Sequence, residues 1–149
     1  MSEKPRVIIS VDAATSGPVG TFTVLLQGGE REKWVDGPVV DRTTYTSQVL
    51  HGLITGLKAL KKPCTVQVFT SCRHTIDAAG GWIYGWSKKD WRTGNGDPVR
   101  DSNLWEEYLS LKSMHEIEIH HNPHMGHIRT MCSKRAQARC IELQKIAAI

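Results

Sequence analysis

Val7-Ile8-Ile9-Ser10-Val11-Asp12, followed by Ala13-Ala14-Thr15-Ser16-Gly17-Pro18-Val19-Gly20 and a second apolar segment at residues 21–26, sets the reading of the fold. β-Branched residues suit a pleated, half-buried surface, so the first run predicts a strand over 6–12 that ends on an acid. Further strands are expected at 21–27 and 32–36, with Gly28-Gly29 as the hairpin turn between them, and at 65–70 and 115–121. Helices are expected at 46–60, 73–84, 101–112 and 128–145. The first carries Val49, Leu50, Leu53, Ile54, Leu57 and Leu60 at three- and four-residue spacing, behind a cap at Thr44 or Thr46. Gly80-Gly81 predicts a kink near the end of the second. Strands first, then helices alternating with strands, make an α/β layer fold: one mixed five-stranded sheet flanked by helices.

The chain has 149 residues, 40% of them apolar and 23% charged, which fits a single domain over 1–149 with a sizeable core. No apolar run reaches the roughly 20 residues of a membrane helix. Met1-Ser2-Glu3-Lys4-Pro5 lacks the apolar centre of a signal peptide, so a cytoplasmic location is expected. Cys64, Cys72, Cys132 and Cys140 form no Cys-x-x-Cys pair and read as small buried hydrophobes kept reduced.

The opening strands resemble those of the ribonuclease H family. The resemblance continues through Thr43-Thr44-Tyr45-Thr46-Ser47-Gln48-Val49-Leu50 and Val66-Gln67-Val68-Phe69-Thr70-Ser71. It is sharpest at Trp82-Ile83-Tyr84-Gly85-Trp86, Lys88-Lys89, Trp91, Pro98-Val99 and Asn103-Leu104-Trp105, which is similar to the basic handle of the bacterial type 1 enzymes. His124-Met125-Gly126-His127 resembles the family's His-x-Gly loop before the last helix, so the resemblance spans roughly residues 6 to 140.

That resemblance implies an enzyme that cuts the RNA strand of an RNA/DNA hybrid with two Mg²⁺ ions held by Asp, Glu, Asp and Asp. Only the first is retained, as Asp12. Without a gap the Glu falls on Val49, with Gln48 one residue before it, and the central-strand Asp is Ser71. The fourth ligand is Lys134 without a gap, or Ser133 if Cys132 matches the family's cysteine. Mg²⁺ dehydrates reluctantly and is recruited by carboxylates plus substrate phosphates. Two such ions about 4 Å apart need anionic ligands to offset their repulsion. With three of four carboxylates missing, metal binding is expected to be weak or absent and the chain to be a catalytically inactive or impaired homologue, a pseudoenzyme in the first case. The nearest alternative acids by sequence are Asp77, Glu106 and Glu116. Asp77, on a helix leaving the strand, is a poor stand-in.

The net charge is +4, and residues 129–145 account for it: Arg129, Lys134, Arg135, Arg139 and Lys145 against Glu142. Lys88, Lys89, Trp91 and Arg92 interleave cations with an aromatic ring, which suits a phosphate-rich backbone. Trp82 and Trp105 are expected in the core. At the positions of the asparagine pair with which the family reads hybrid stand Tyr45 and Thr46. Thr44 and Thr46 can still hydrogen-bond a duplex, but the basis for selecting hybrid over double-stranded RNA is weakened.

His115, His120, His121, His124 and His127 crowd thirteen residues. A strand would point His120 and His121 to opposite faces, so a site for zinc, nickel or copper would have to rest on His124 and His127 with His120 or Cys132. The resemblance makes His124 the counterpart of the family's mobile histidine, thought to assist product release, and leaves the others as surface groups. Three functions compete: a binding module for hybrid or other duplex nucleic acid, a weak metal-dependent nuclease using Asp12, and a structural partner of an active nuclease or polymerase.

Overall fold

The computed structural model describes residues 4–147. Strands β1 (Arg6–Ser16), β2 (Val19–Gly28), β3 (Arg31–Asp36), β4 (Thr65–Thr70) and β5 (Glu116–His121) alternate late in the chain with α1 (Tyr45–Lys58), α2 (Arg73–Asp77), α3 (Ile83–Lys88), α4 (Ser102–Met114) and α5 (Gly126–Ala147). The sheet order is β3-β2-β1-β4-β5. The first three strands pair antiparallel and the last two add parallel, which gives the expected mixed sheet flanked by helices.

Alternation along β1 separates two environments. Ile9, Val11 and Ala13 meet Val49, Leu53 and Leu57 of α1 in the main core, where each buried Val, Leu or Ile side chain contributes about 1.5–3 kcal/mol. The helix lies close to the sheet because Gly52 has no side chain: a Cβ there would stand 2.6 Å from Val11 Cγ2. Asp12 and Ala14 point the other way, and Ala14 packs with Met125, Ile128 and Cys132 of the α5 region. Arg135 fixes α5 to the same face by donating to the Phe22 carbonyl at 2.8 Å and Thr23 Oγ1 at 2.9 Å, and by pairing with Asp36 at 3.1 Å.

The parallel register stops at Ser10 opposite Phe69, while on its other side Asp12 is still paired with Thr23. Asp12 therefore looks into the crevice beyond the carboxyl end of β4, the place where open α/β sheets bind ligands. A second core joins Leu50 and Ile54 of α1 to Ala78, Ala79, Ile83, Trp105 and Tyr108.

Several sequence expectations need correction. β1 runs on to Ser16 rather than ending at Asp12, because the hairpin with β2 closes only at Ser16–Val19 around Gly17, which has φ +57°. α1 stops at Lys58, leaving Leu60 beyond it and packed against the main core. The kink expected at Gly80-Gly81 is a π-helical turn over Ala78–Trp82, and helical structure continues to Lys88. That turn places Trp82 at the surface, 46% exposed, against the core role expected for it, whereas Trp105 is buried. His115 is no surface group: it is buried, and its Nδ1 accepts the Cys64 backbone N–H at 3.0 Å. Burial pulls its pKa down, with help from the Lys4 charge, and so favours the neutral ring that can accept this bond. Cys64, Cys72 and Cys132 are buried as expected, but Cys140 is only half-buried.

Candidate functional site

Asp12 has no exposed surface, and every direction its carboxylate faces is taken. Oδ1 accepts the Ala13 backbone N–H at 2.8 Å and the Tyr45 hydroxyl at 2.6 Å. Oδ2 accepts the Ser71 hydroxyl at 2.8 Å and lies 3.3 Å from Arg129 Nη2. The same Nη2 donates to Ser71 Oγ at 2.6 Å and to the Tyr45 hydroxyl at 3.0 Å, and the guanidinium sits over the Tyr45 ring. Four elements converge here: β1 supplies the acid, the first turn of α1 the phenol, the end of β4 the serine, and the first turn of α5 the cation.

The charges of this cluster cancel between Asp12 and Arg129. Burial pushes the Tyr45 phenol up to about 12, and its hydrogen bond to Asp12 adds to the shift. Partial burial pulls Arg129 down, but the Asp12 charge, Tyr45 and hydrogen bonds to both outweigh it, so the net shift is upward. The cluster is thus one anion, one cation and two neutral hydroxyls. Such a donor set does not suit a pair of Mg²⁺ ions, which need several anionic oxygens in place of a guanidinium. Among the described residues, no group of three or more His, Cys, Asp or Glu is placed to hold a metal ion.

Val49 lies one helical turn beyond Tyr45 and is fully buried against the sheet as a packing residue. Gln48 is buried too, and its Nε2 donates to Thr43 Oγ1 at 2.9 Å. On α5, Ser133 follows Arg129 by one turn and is half-buried, with Gln137 as its hydrogen-bond partner at 3.2 Å, while Lys134 is exposed. Cys132, between these faces, lies 3.6 Å from the Asp12 carbonyl, and burial raises its thiol pKa. Asp77 and Glu106 are exposed, and Glu116 pairs with Lys4 at 3.3 Å.

The RNase H family matches residues 4–140. The chain is 37% identical to a ribonuclease H of Bradyrhizobium diazoefficiens, over 85% of this chain and 84% of that protein. It is 36% identical to one from Syntrophotalea carbinolica, over 99% of this chain and 94% of that one. The chain belongs to the ribonuclease H family.

Solved structures agree on the fold. LC9-RNase H1, described as a type 1 RNase H with the type 2 active-site motif, superposes with a TM-score of 0.68 at 21% identity, covering 85% of this chain and 67% of that one. The N-terminal RNase H domain of a Mycobacterium tuberculosis protein gives 0.65 at 14% identity, over 94% and 99%.

Other residues singled out in the sequence lie at the start of α1, in the handle and just ahead of α5. Thr44 caps α1 by accepting the Ser47 N–H at 3.2 Å, and its hydroxyl lies 3.3 Å from that of half-buried Thr46. Ser47 donates to Asp101 Oδ2 at 2.5 Å, tying the start of α1 to the segment that leads out of the handle. Within the handle, Trp91 N–H donates to the Trp86 carbonyl at 2.8 Å and Val99 N–H to the Trp91 carbonyl at 2.9 Å. Lys88, Lys89 and Arg92 are exposed around half-buried Trp91. His124 is exposed just ahead of α5, its N–H held by Asn122 at 2.9 Å.

The structure brings Asp12 and Ser71 together, and with them two residues that the sequence does not single out for this cluster. From the sequence alone, Tyr45 marks only a lost asparagine and Arg129 only one cation of a basic helix. Helical spacing was the available clue, since each stands one turn before a position assigned to a missing ligand.

Proposed function

We propose that this ribonuclease H homologue binds RNA/DNA hybrid or another nucleic-acid duplex and does not cut it by the two-metal route. The observation that carries the reading is the saturation of Asp12: its oxygens accept from a backbone amide and two hydroxyls, and Arg129 supplies the positive charge. By the family resemblance Val49, Ser71 and either Ser133 or Lys134 fall at the other three ligand positions, and none supplies an anion. Lys134, exposed, is the poorer match for the fourth. An entering Mg²⁺ would have to displace Arg129 and strip hydrogen bonds from a fully buried carboxylate, so Mg²⁺ affinity is low.

Binding is supported by the surface that remains. Lys88, Lys89 and Arg92 present cations to solvent, and Trp82 joins Trp86 in an aromatic row on the same helical segment, ring centroids 6.0 Å apart. Cations and exposed rings together suit a sugar-phosphate backbone. Thr44 and Thr46 at the α1 terminus offer hydroxyls to a shape-read duplex. LC11-RNase H1, a structural neighbour at 14% identity, has been solved with RNA/DNA hybrid.

The test resolves bound and cleaved end-labelled hybrid from one sample, in Mg²⁺ and then Mn²⁺, with Asp12→Ala as the control. Bound, intact hybrid is expected. Cleavage that disappears in Asp12→Ala would overturn the reading and make the chain a nuclease.

A further inference from the structure

We infer that Arg129 is itself a phosphate-binding site: its guanidinium takes a backbone phosphodiester of the bound duplex, without any metal ion. The inference rests on the binding reading above and adds what occupies the cleft and with which atoms.

The geometry that fills the Asp12 pocket leaves most of the guanidinium unspent. All three contacts to the cluster, with Asp12, Ser71 and Tyr45, use Nη2. Among the described residues, the Nε–H and the two Nη1–H bonds have no protein acceptor. The side chain is 51% exposed, in contrast to the fully buried acid beneath it. A guanidinium carries five donors in a fixed plane and matches phosphate oxygens well. Here the plane is pinned on one side by Nη2 and supported from below by the Tyr45 ring, 5.4 Å from its centroid. Little side-chain freedom is left to lose when an anion arrives.

Two further features favour an anion. Arg129 lies in the first turn of α5, a helix of 22 residues with no acid in that turn, so the positive end of the helix dipole reinforces the side chain. The phosphate would also complete a charge sequence: carboxylate, cation, phosphate. A divalent ion between Asp12 and a phosphate would make the same sequence, with a protein cation here taking the metal's place. One difference is measurable. A guanidinium held by the fold stays in EDTA, whereas a bound ion does not.

The experiment is a salt titration of hybrid binding in EDTA, and again in Mg²⁺, with the wild type, Arg129→Gln, Arg129→Lys and Asp12→Asn, each checked for native circular dichroism. Wild-type binding is expected to persist in EDTA and to be no weaker there than in Mg²⁺, which only competes for the phosphates. Arg129→Gln should bind several-fold more weakly, with the slope of log K against log salt reduced by about 1. Arg129→Lys should lose affinity but keep the slope. Asp12→Asn should bind more tightly, because it removes the anion that neutralises the cation. The gain should vanish when Arg129→Gln is added to Asp12→Asn, whereas the general effect of removing a negative charge would remain. If Arg129→Gln fails to fold, the Lys and Asn variants decide the matter. Wild type that binds in EDTA, but with a slope unchanged in Arg129→Gln or an affinity unchanged in Asp12→Asn, overturns the inference and leaves duplex binding standing. Binding that requires Mg²⁺ also overturns it. Wild type that binds no duplex under any condition overturns the binding reading, and the inference with it.

Discussion

Replacing Arg129 with glutamine leaves the Asp12 carboxylate, which solvent does not touch, held by two hydroxyls and one backbone amide. The two charges are 3.3 Å apart. At an effective dielectric of about 20 this separation corresponds to an attraction of about 5 kcal/mol. The guanidinium is half-exposed and already well solvated, so screening cuts the useful part to about 2 kcal/mol. The hydroxyls of Tyr45 and Ser71 remain 3.0 Å from one another and keep Asp12 as their acceptor, so little further is lost with the guanidinium contacts. A destabilisation of about 2 kcal/mol is therefore expected, or roughly 4–8 °C in Tm for a chain of this size.

The assay is a double-mutant cycle in urea with wild type, Arg129→Gln, Asp12→Asn and the double variant. Asparagine at position 12 can still accept from Ala13 and a hydroxyl, so the double variant should recover most of what Arg129→Gln loses, with a coupling energy near about 2 kcal/mol. Additive effects, or an Arg129→Gln variant within about 0.5 kcal/mol of wild type, would refute the claim that this cation stabilises the buried acid.

Tyr45→Phe removes the 2.6 Å donor to Oδ1 and should cost about 1–3 kcal/mol in urea, the penalty of an under-satisfied buried acceptor. With its folded pKa raised to about 12, Tyr45 contributes stability that is complete below the unfolded value near 10 and lost as pH rises from there through about 12, so alkaline unfolding should depend less on pH in Tyr45→Phe. His115 has a lowered folded pKa, so the unfolded chain binds the extra proton first. The resulting stability is complete above about 6.5 and falls as pH drops below it, and His115→Gln, which retains an acceptor for Cys64 N–H, should flatten urea stability between pH 7.5 and 5.5. Val49→Glu, Ser71→Asp and Ser133→Asp together should leave hybrid uncut in Mg²⁺, because Tyr45 and Arg129 still cover Asp12. Adding Tyr45→Asn and Arg129→Asn to the three should raise cleavage above that of the triple variant, and cleavage by the triple variant alone would show that the two occupants do not block the site.

The sheet was legible because its signals are local. β-Branched runs marked β1 and β4, Gly28-Gly29 marked the β2–β3 turn, and the α1 spacing of Val49, Leu53 and Leu57 named the residues that meet the sheet. Trp82 was misjudged because a bulky aromatic in an amphipathic segment reads as core at helical spacing, and the π-turn over Ala78–Trp82 shifts that spacing. His115 looked like one of a surface group because nothing local reveals that Cys64 brings an amide to its ring. The cluster at Asp12 was half legible for the same reason. A missing carboxylate can be read at its own position, but a phenol from α1 and a guanidinium from α5 meet only after both helices dock on the sheet.

Loss of ligands and closure of the site are different physical events, and the arrangement around Asp12 is the second. Had three carboxylates simply been replaced, Asp12 would remain a lone anion in a crevice, open to water or to any cation. Instead the acid is fully buried, an environment that strongly disfavours an unpaired charge, and it is compensated there by a cation and three hydrogen bonds. The donors come from four separate elements, so the cluster also ties α1, the end of β4 and α5 to β1 at the crevice. Each of these partners competes directly with a metal ion for the same two oxygens. The handle uses none of them: its cations and rings lie on the segment from Trp82 to Arg92. The state of the Asp12 site and any contact of the handle with a duplex are therefore physically separable, which is the separation that the binding and cleavage measurements are designed to detect.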